Sequence, residues 1–130
     1  MIRLHAAAVL ALIDAQPNVT VYDGQVPNRP VLPYAVMYAD QGGAGQSAFS
    51  GKSDFRVWRF QTTAVGSTPE QCRWLAERVE LALLDVAPVV TGRTCGRIDK
   101  LDSQPVRRDD TVDPALFYAV DRWQFLSVAA

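Results

Sequence analysis

The chain has 130 residues, of which 48% are apolar and 21% are charged, and its formal net charge is −1. This length is enough for a domain with a core of its own, so we predict a single domain over residues 1–130. The near-zero charge argues against a dedicated nucleic-acid-binding protein, and no apolar run reaches the ~20 residues that span a bilayer.

The first predicted element is a helix over residues 2–15. Apolar residues recur there at helical spacing: Ile2, Ala6, Val9 and Ile13. Pro17 follows, and proline disfavours helical geometry in the residue before it. The Ala-rich start has the basic residue and the apolar run of a signal peptide. Because Asp14 interrupts a short run, we interpret the segment as a packed helix.

Two strands and a loop follow the first helix. Residues 19–22 form a short predicted strand, and the prolines after it indicate an extended connection. Residues 34–39 are apolar throughout, which predicts a second strand covered on both faces. Residues 40–53 are rich in glycine and serine, and we interpret them as a flexible loop between two strands.

The strongest pattern in the chain is a long strand that leads into an amphipathic helix. Residues 55–65 are rich in β-branched and aromatic side chains, which suit a half-buried strand. After a turn, Thr68 fits the N-cap, Pro69 the first helical position, and Gln71 the reciprocal partner of a capping box. The apolar stripe of the helix contains Cys72, Leu75, Ala76, Val79, Ala82, Leu83 and Val86.

The last third of the chain adds two strands. Residues 93–102 are charged and weakly alternating, as in an edge strand, and residues 106–114 are interpreted as a polar loop. Residues 116–128 are apolar and aromatic, and we predict that this strand pairs with residues 55–65. The predicted fold is therefore α+β, with element order α-β-β-β-α-β-β, a mostly antiparallel sheet and two helices on one face.

One stretch invites comparison with a phosphate-binding loop. Gly51-Lys52-Ser53 matches the end of the G-x-x-x-x-G-K-[ST] motif, but the first glycine is missing because residue 46 is Gln46. A strand rather than a helix follows, so no helix N-terminus would face a phosphate. We predict no nucleotide site here.

No combination of side chains marks a catalytic or metal site. His5 is the only histidine, and its place in an apolar helix favours a surface or satisfied core residue over a general base. Zinc ligands of the ordinary kind are lacking, since there is no second histidine and no cysteine cluster. The acidic cluster at residues 109–113 lies beside Arg107 and Arg108, which predicts mutual neutralisation rather than a cation site. We predict no catalytic, cofactor-binding or metal-binding residues and no enzymatic activity.

The second predicted helix carries two residues of separate interest. Cys72 lies in the apolar stripe, and because Cys95 is the only other cysteine we predict free thiols in a reduced, cytosolic setting. Trp74 falls beside the stripe, next to Arg73 and Arg78. A half-exposed tryptophan is a favoured interface anchor; packing beneath a neighbouring loop is the alternative.

A family resemblance is carried by segments spread over nearly the whole chain. They are the Ala- and Leu-rich first helix, Leu32-Pro33-Tyr34-Ala35-Val36, Thr62-Thr63-Ala64-Val65-Gly66-Ser67-Thr68-Pro69-Glu70-Gln71, the helix Ala76-Glu77-Arg78-Val79-Glu80-Leu81-Ala82-Leu83-Leu84, Arg107-Arg108-Asp109-Asp110, and Phe117-Tyr118-Ala119-Val120-Asp121-Arg122-Trp123-Gln124-Phe125. In this order the chain resembles the tail terminator (tail completion) proteins of long-tailed bacteriophages, especially those of actinobacterial hosts.

The resemblance implies an α/β domain with helices on an antiparallel sheet that assembles into a six-membered ring. Such a ring caps the head-proximal end of the tail tube, stops its polymerisation and offers a surface for head attachment. The implied partners are further copies of the chain, the tail tube protein and a head completion or neck protein. No membrane, cofactor or specific nucleic acid is implied, and DNA is free to pass through the lumen. The implied location is the virion tail, after assembly in the host cytoplasm.

Ring formation needs strand edges or loops that complete a neighbouring subunit, and two loops qualify. In residues 40–53 we predict that Phe49 anchors the loop on a neighbouring subunit. In residues 105–114 we predict that Arg107 and Arg108 lie near a neighbour's acidic surface or the lumen. With Trp74, these residues are the candidate subunit-interface residues.

Three other classes of protein remain open. Another phage neck or head–tail joining protein would have the same size and the same lack of marked chemistry. A small dimeric α+β enzyme or ligand-binding module would need a concave pocket with convergent polar groups, which no sequence pattern indicates. A bacterial interaction domain is the third alternative.

Overall fold

Two helices lie on one face of an eight-stranded sheet in the computed structural model, which describes residues 2–40, 43–44 and 55–130. The helices are α1 (Ile2–Asp14) and α2 (Pro69–Leu83). The strands are β1 (Val21–Asp23), β2 (Tyr34–Ala39), β3 (Gly43–Ala44), β4 (Phe55–Gly66), β5 (Arg93–Cys95), β6 (Asp99–Ser103), β7 (Arg107–Asp109) and β8 (Leu116–Ala129).

The sheet is organised around the long antiparallel pair β4 and β8, which run side by side from Phe55 opposite Val128 to Gly66 opposite Phe117. The order across the sheet is β1-β2-β4-β8-β5, with β3 paired to β4, and β6 and β7 paired to β8. Among the strand pairs of the described residues, β1 with β2 is the one parallel pair. The predicted α+β class, the mostly antiparallel sheet and the pairing of the two long strands are confirmed.

The region between α2 and β8 contains more strands than its pattern predicts. The expected edge strand over residues 93–102 is two strands, β5 and β6, separated by the buried Ile98. Within the expected loop over residues 106–114, β7 pairs with β8. These segments lack an apolar pattern of their own because they are edge strands, formed by backbone pairing along β8 rather than by burial of alternate side chains.

The core lies between the helices and the inward face of the sheet. Alternate residues of β4 and β8 point inward, so Trp58 and Phe60 meet Trp123 and Phe125 beneath the helices. A second, smaller cluster covers the opposite face near the start of β2. It contains Tyr34, Val36 and Val65, with Tyr22, Val26, Leu32, Leu116 and Tyr118 packed against them.

The junction between β4 and α2 follows the predicted capping pattern with one change. Thr68 accepts the N–H of Gln71 through its side chain at 3.1 Å, as an N-cap does. The Gln71 side chain accepts the N–H of Ser67 at 2.7 Å, one residue earlier than in the predicted capping box. Both polar groups at the start of the helix are therefore used to fix its direction.

The prediction that β2 is covered on both faces holds only for its first four residues. Tyr34, Ala35, Val36 and Met37 are buried, whereas Tyr38 is 46% exposed and Ala39 is also exposed. The reason lies in β1, which pairs only with residues 35–37. The end of β2 thus has no neighbouring strand on that side among the described residues.

Candidate functional site

Trp74 lies on α2, where it packs against the core and has Arg78 over its ring. The Arg78 guanidinium carbon is 5.5 Å from the ring centroid, which is cation–π distance. Trp74 remains partly exposed. The structure places it as a half-buried residue with a charged neighbour, and its role at an interface stays a prediction.

Arg107 and Arg108 are neighbours on β7, so their side chains leave opposite faces of the strand. Arg107 stands opposite Tyr118 and Arg108 opposite Phe117. Arg108 forms an exposed ion pair with Asp110 through Nε and Oδ1, 2.5 Å apart. The two arginines therefore do not form one cationic patch, and their role at an interface stays a prediction.

The remaining candidate, Phe49, lies outside the described residues. The described flanks of its segment are β3 and the start of β4, which pair through Gly43 opposite Val57 and Ala44 opposite Arg56. The two described flanks of the segment therefore lie side by side in the sheet.

The only histidine is a core residue that ties α1 to β8. His5 Nε2 is 2.8 Å from Ser127 Oγ, and both residues have 0% exposure. Arg93 donates from Nε to the same Oγ at 2.9 Å and from Nη2 to the Ser127 carbonyl at 2.7 Å. The His5 ring stacks on Trp58 with centroids 4.6 Å apart. This histidine–serine contact is inside the core rather than on a surface that a substrate reaches.

A second polar group of residues, which the sequence did not mark, joins α2 to the outer strands. Lys100 lies 2.7 Å from Glu80 and 3.7 Å from Asp121, and its Nζ is 5.1 Å from the centroid of Trp123. Asp121 is only 6% exposed, because it occupies an inward position of β8. The alternation of inward and outward residues along β8 was the one sequence signal for the burial of Asp121.

A concave surface lies beside α1. A cavity of about 940 Å³ runs between α1 and the open end of β2, and a second of about 450 Å³ continues it between α1 and β1. Both cavities share Ala7, Leu10 and Asp23. We call this continuous surface the α1 groove. It exists because small residues leave space on that side of the helix and because β1 ends before β2 does.

Residues 2–40, 43–44 and 55–130 contain few groups that could bind a metal or react as a nucleophile. No cluster of three or more histidine, cysteine or acidic side chains is placed to hold a metal ion there. Burial raises the pKa of the Cys72 thiol to about 11, while Cys95 is partly exposed. Within that same part of the chain, neither helix is long and apolar enough to cross a membrane.

Comparison with solved structures finds a virion component with this architecture. The matching chain belongs to a structure described as the virion of a native gene transfer agent (GTA) particle. It superposes with a TM-score of 0.70 at 17% sequence identity, over 96% of this chain and 94% of that chain.

The two chains share a fold. At 17% identity the likeness extends to architecture and not to individual residues. No protein-family model matches the chain, and no curated protein sequence matches it.

Proposed function

We propose that this chain is a structural virion protein that forms a ring at the head-proximal end of a phage tail tube, ends tube polymerisation and provides the surface for head or neck attachment. The observation that carries the proposal is the full-length likeness to a chain of a gene transfer agent virion. The loose similarity of the sequence to tail terminator proteins gives the finer assignment within the virion.

The distribution of chemistry in the described residues fits an assembly role. Two pairs of buried polar groups, His5 with Ser127 and Thr62 with Trp123, bond to each other inside the core. The exposed features are instead a groove at the sheet edge, a half-buried tryptophan and arginines on an edge strand. Such features suit contacts between protein surfaces.

The experiment combines solution mass with a capping assay. Light scattering and negative-stain images of the purified chain should give a closed ring with a central hole. Added to growing tubes of a tail tube protein, the chain should halt elongation and leave a ring at one end. Rings that neither bind tubes nor halt their growth would contradict the terminator assignment.

A neck or head–tail joining protein is the second candidate, since the matching structure is described only as a virion. A joining protein should form a ring that binds a preformed, already capped tail and does not stop tube growth. A compact dimer that binds a small molecule would instead favour a ligand-binding module or an enzyme.

A further inference from the structure

A pocket lies between α2 and the edge of the sheet opposite to β1. Its volume is about 390 Å³, and it is bounded by α2, by β6 with the connection that follows, and by β8. Two of the lining residues are small, Ala76 on α2 and Ala119 on β8, and they leave space that longer side chains would fill. Exposed residues at the rim, among them Gln104 and Pro105, leave the cavity open to solvent. We call this cavity the α2–β6 pocket.

A buried carboxylate lines the α2–β6 pocket. Asp121 occupies an inward position of β8 and is 6% exposed. The Lys100 Nζ lies 3.7 Å from its Oδ1, which is longer than a hydrogen bond, and the same ammonium group bonds to Glu80 at 2.7 Å. Among the described residues, no N–H or O–H donates a hydrogen bond to the Asp121 carboxylate. Because buried carboxylates are normally hydrogen-bonded, Asp121 has unused capacity to accept donors from outside the chain.

The charged side chains around the α2–β6 pocket favour a positively charged occupant. Three carboxylates and two cations line it: Glu77, Glu80, Asp121, Arg73 and Lys100. Arg73 lies at the exposed rim and forms no ion pair with a described residue, so the chain's own guanidinium does not fill the site. The excess of negative charge attracts a cation and repels an anion.

The kind of cation follows from the arrangement of the carboxylates. A metal ion needs several oxygen ligands around one point, and no group of three acidic side chains among the described residues is placed to hold one. A guanidinium brings its own N–H donors and binds a single carboxylate through two parallel hydrogen bonds. The methylene stem of an arginine also suits the alanine walls of the pocket. The observations therefore favour an arginine side chain.

We infer that the α2–β6 pocket receives an arginine side chain of a partner protein, with the guanidinium bonded to Asp121 and the stem against Ala76 and Ala119. The charge of the pocket and the buried acceptor at Asp121 select this occupant together. The inference goes beyond the proposed function, because such a contact does not depend on whether the chain caps a tail tube.

The first test measures the binding of N-acetyl-arginine amide to the full chain by ¹⁵N NMR. Backbone signals of the pocket residues should shift saturably, whereas N-acetyl-citrulline amide, which has the same length without the charge, should cause little shift. Asp121→Asn keeps the size of the side chain and should raise the Kd by about tenfold or more. Asp99→Asn removes an exposed carboxylate of β6 and should leave the Kd within about twofold.

A second test covers the case in which a second copy of the chain already fills the pocket. Light scattering then follows self-association, which Asp121→Asn should weaken by about tenfold or more and Asp99→Asn should leave unchanged. Outside the pocket, the backbone spectrum of Asp121→Asn should match that of the unchanged chain, since Lys100 keeps its bond to Glu80.

Several results would overturn the inference. They are equal shifts with the arginine and citrulline amides, equal Kd values for the two variants, or an absence of probe binding together with unchanged self-association of Asp121→Asn. Changes throughout the spectrum of Asp121→Asn without a change in binding would assign the carboxylate to the fold instead. Failure of the proposed function would look different, because it would appear in the tube-capping assay and leave these titrations unaffected.

Discussion

Gly66, at the junction of β4 and α2, offers a direct test of how closely the helix approaches the sheet. A Cβ added there would lie 2.7 Å from the Cys72 nitrogen, 3.1 Å from the Cys72 Cα and 3.2 Å from the Gln71 carbonyl carbon. All three atoms are backbone, so no flexible side chain can move aside. Gly66→Ala therefore has to displace the first turn of α2 from the strand.

The expected cost follows from two opposing effects. Overpacking of this kind costs about 1–3 kcal/mol, and the reduced entropy of the unfolded chain offsets about 0.4–1 kcal/mol. We expect a net loss of about 1–2 kcal/mol in the free energy of unfolding and a fall in Tm of about 3–10 °C.

Urea unfolding followed by tryptophan fluorescence measures the effect, at a single protein concentration because self-association adds to apparent stability. Gly96→Ala is the matched control. Its added Cβ would lie 3.8 Å from the nearest atoms of Leu126, an ordinary contact, so we expect a change within about 0.5 kcal/mol. Equal midpoints for the two variants would refute the close approach of α2 to β4.

Three further predictions concern single side chains. Thr62→Val removes the acceptor of the buried Trp123 N–H, 3.0 Å away, and should cost about 1–3 kcal/mol in a urea titration; a cost no larger than that of Thr63→Val would contradict it. At pH 8 a thiol reagent should modify Cys95 quickly and Cys72 only on unfolding, because burial raises the pKa of Cys72 to about 11. Fast modification of the folded Cys95→Ser variant would contradict this prediction. Side-chain and backbone hydrogen bonds from Thr111 lower the pKa of Asp109, so this carboxylate stabilises the fold above its unfolded pKa of about 3.9 and loses that effect as the pH falls through its folded pKa. Asp109→Asn keeps an acceptor for Thr111 and should make the free energy of unfolding fall less steeply as the pH is lowered. The same pH dependence in both proteins would exclude a contribution from the Asp109 carboxylate.

The parts of the fold with strong local patterns were predictable. The β4–α2 unit combines an aromatic and β-branched run, an N-cap at Thr68 and an apolar stripe, and these signals agree with one another. The pairing of β8 with β4 followed from two long apolar strands that each need a partner. The register of that pairing was beyond prediction, because it depends on which inward side chains fit together across the core.

The α1 groove was harder to predict from the sequence, because it forms where side chains are small and a neighbouring strand ends. Ala7 and Ala11 read as helix formers, and their small size becomes informative only once β1 is known to stop at Asp23. The core position of Ser127 was likewise hidden, since a serine near the end of a strand pattern carries no apolar signal. The contact of Ser127 with His5 spans 122 positions in sequence, and no local pattern encodes it.

The pairing of β8 with four other strands also sets the order of events during synthesis. The strands β4, β5, β6 and β7 all pair with β8, which follows them in the chain. While the ribosome is still producing residues 1–115, β4 lacks its main partner and the three short strands have no template. The sheet can therefore close only after residues 116–129 have emerged, so a translation product that stops before them lacks the central strand pairing of the fold.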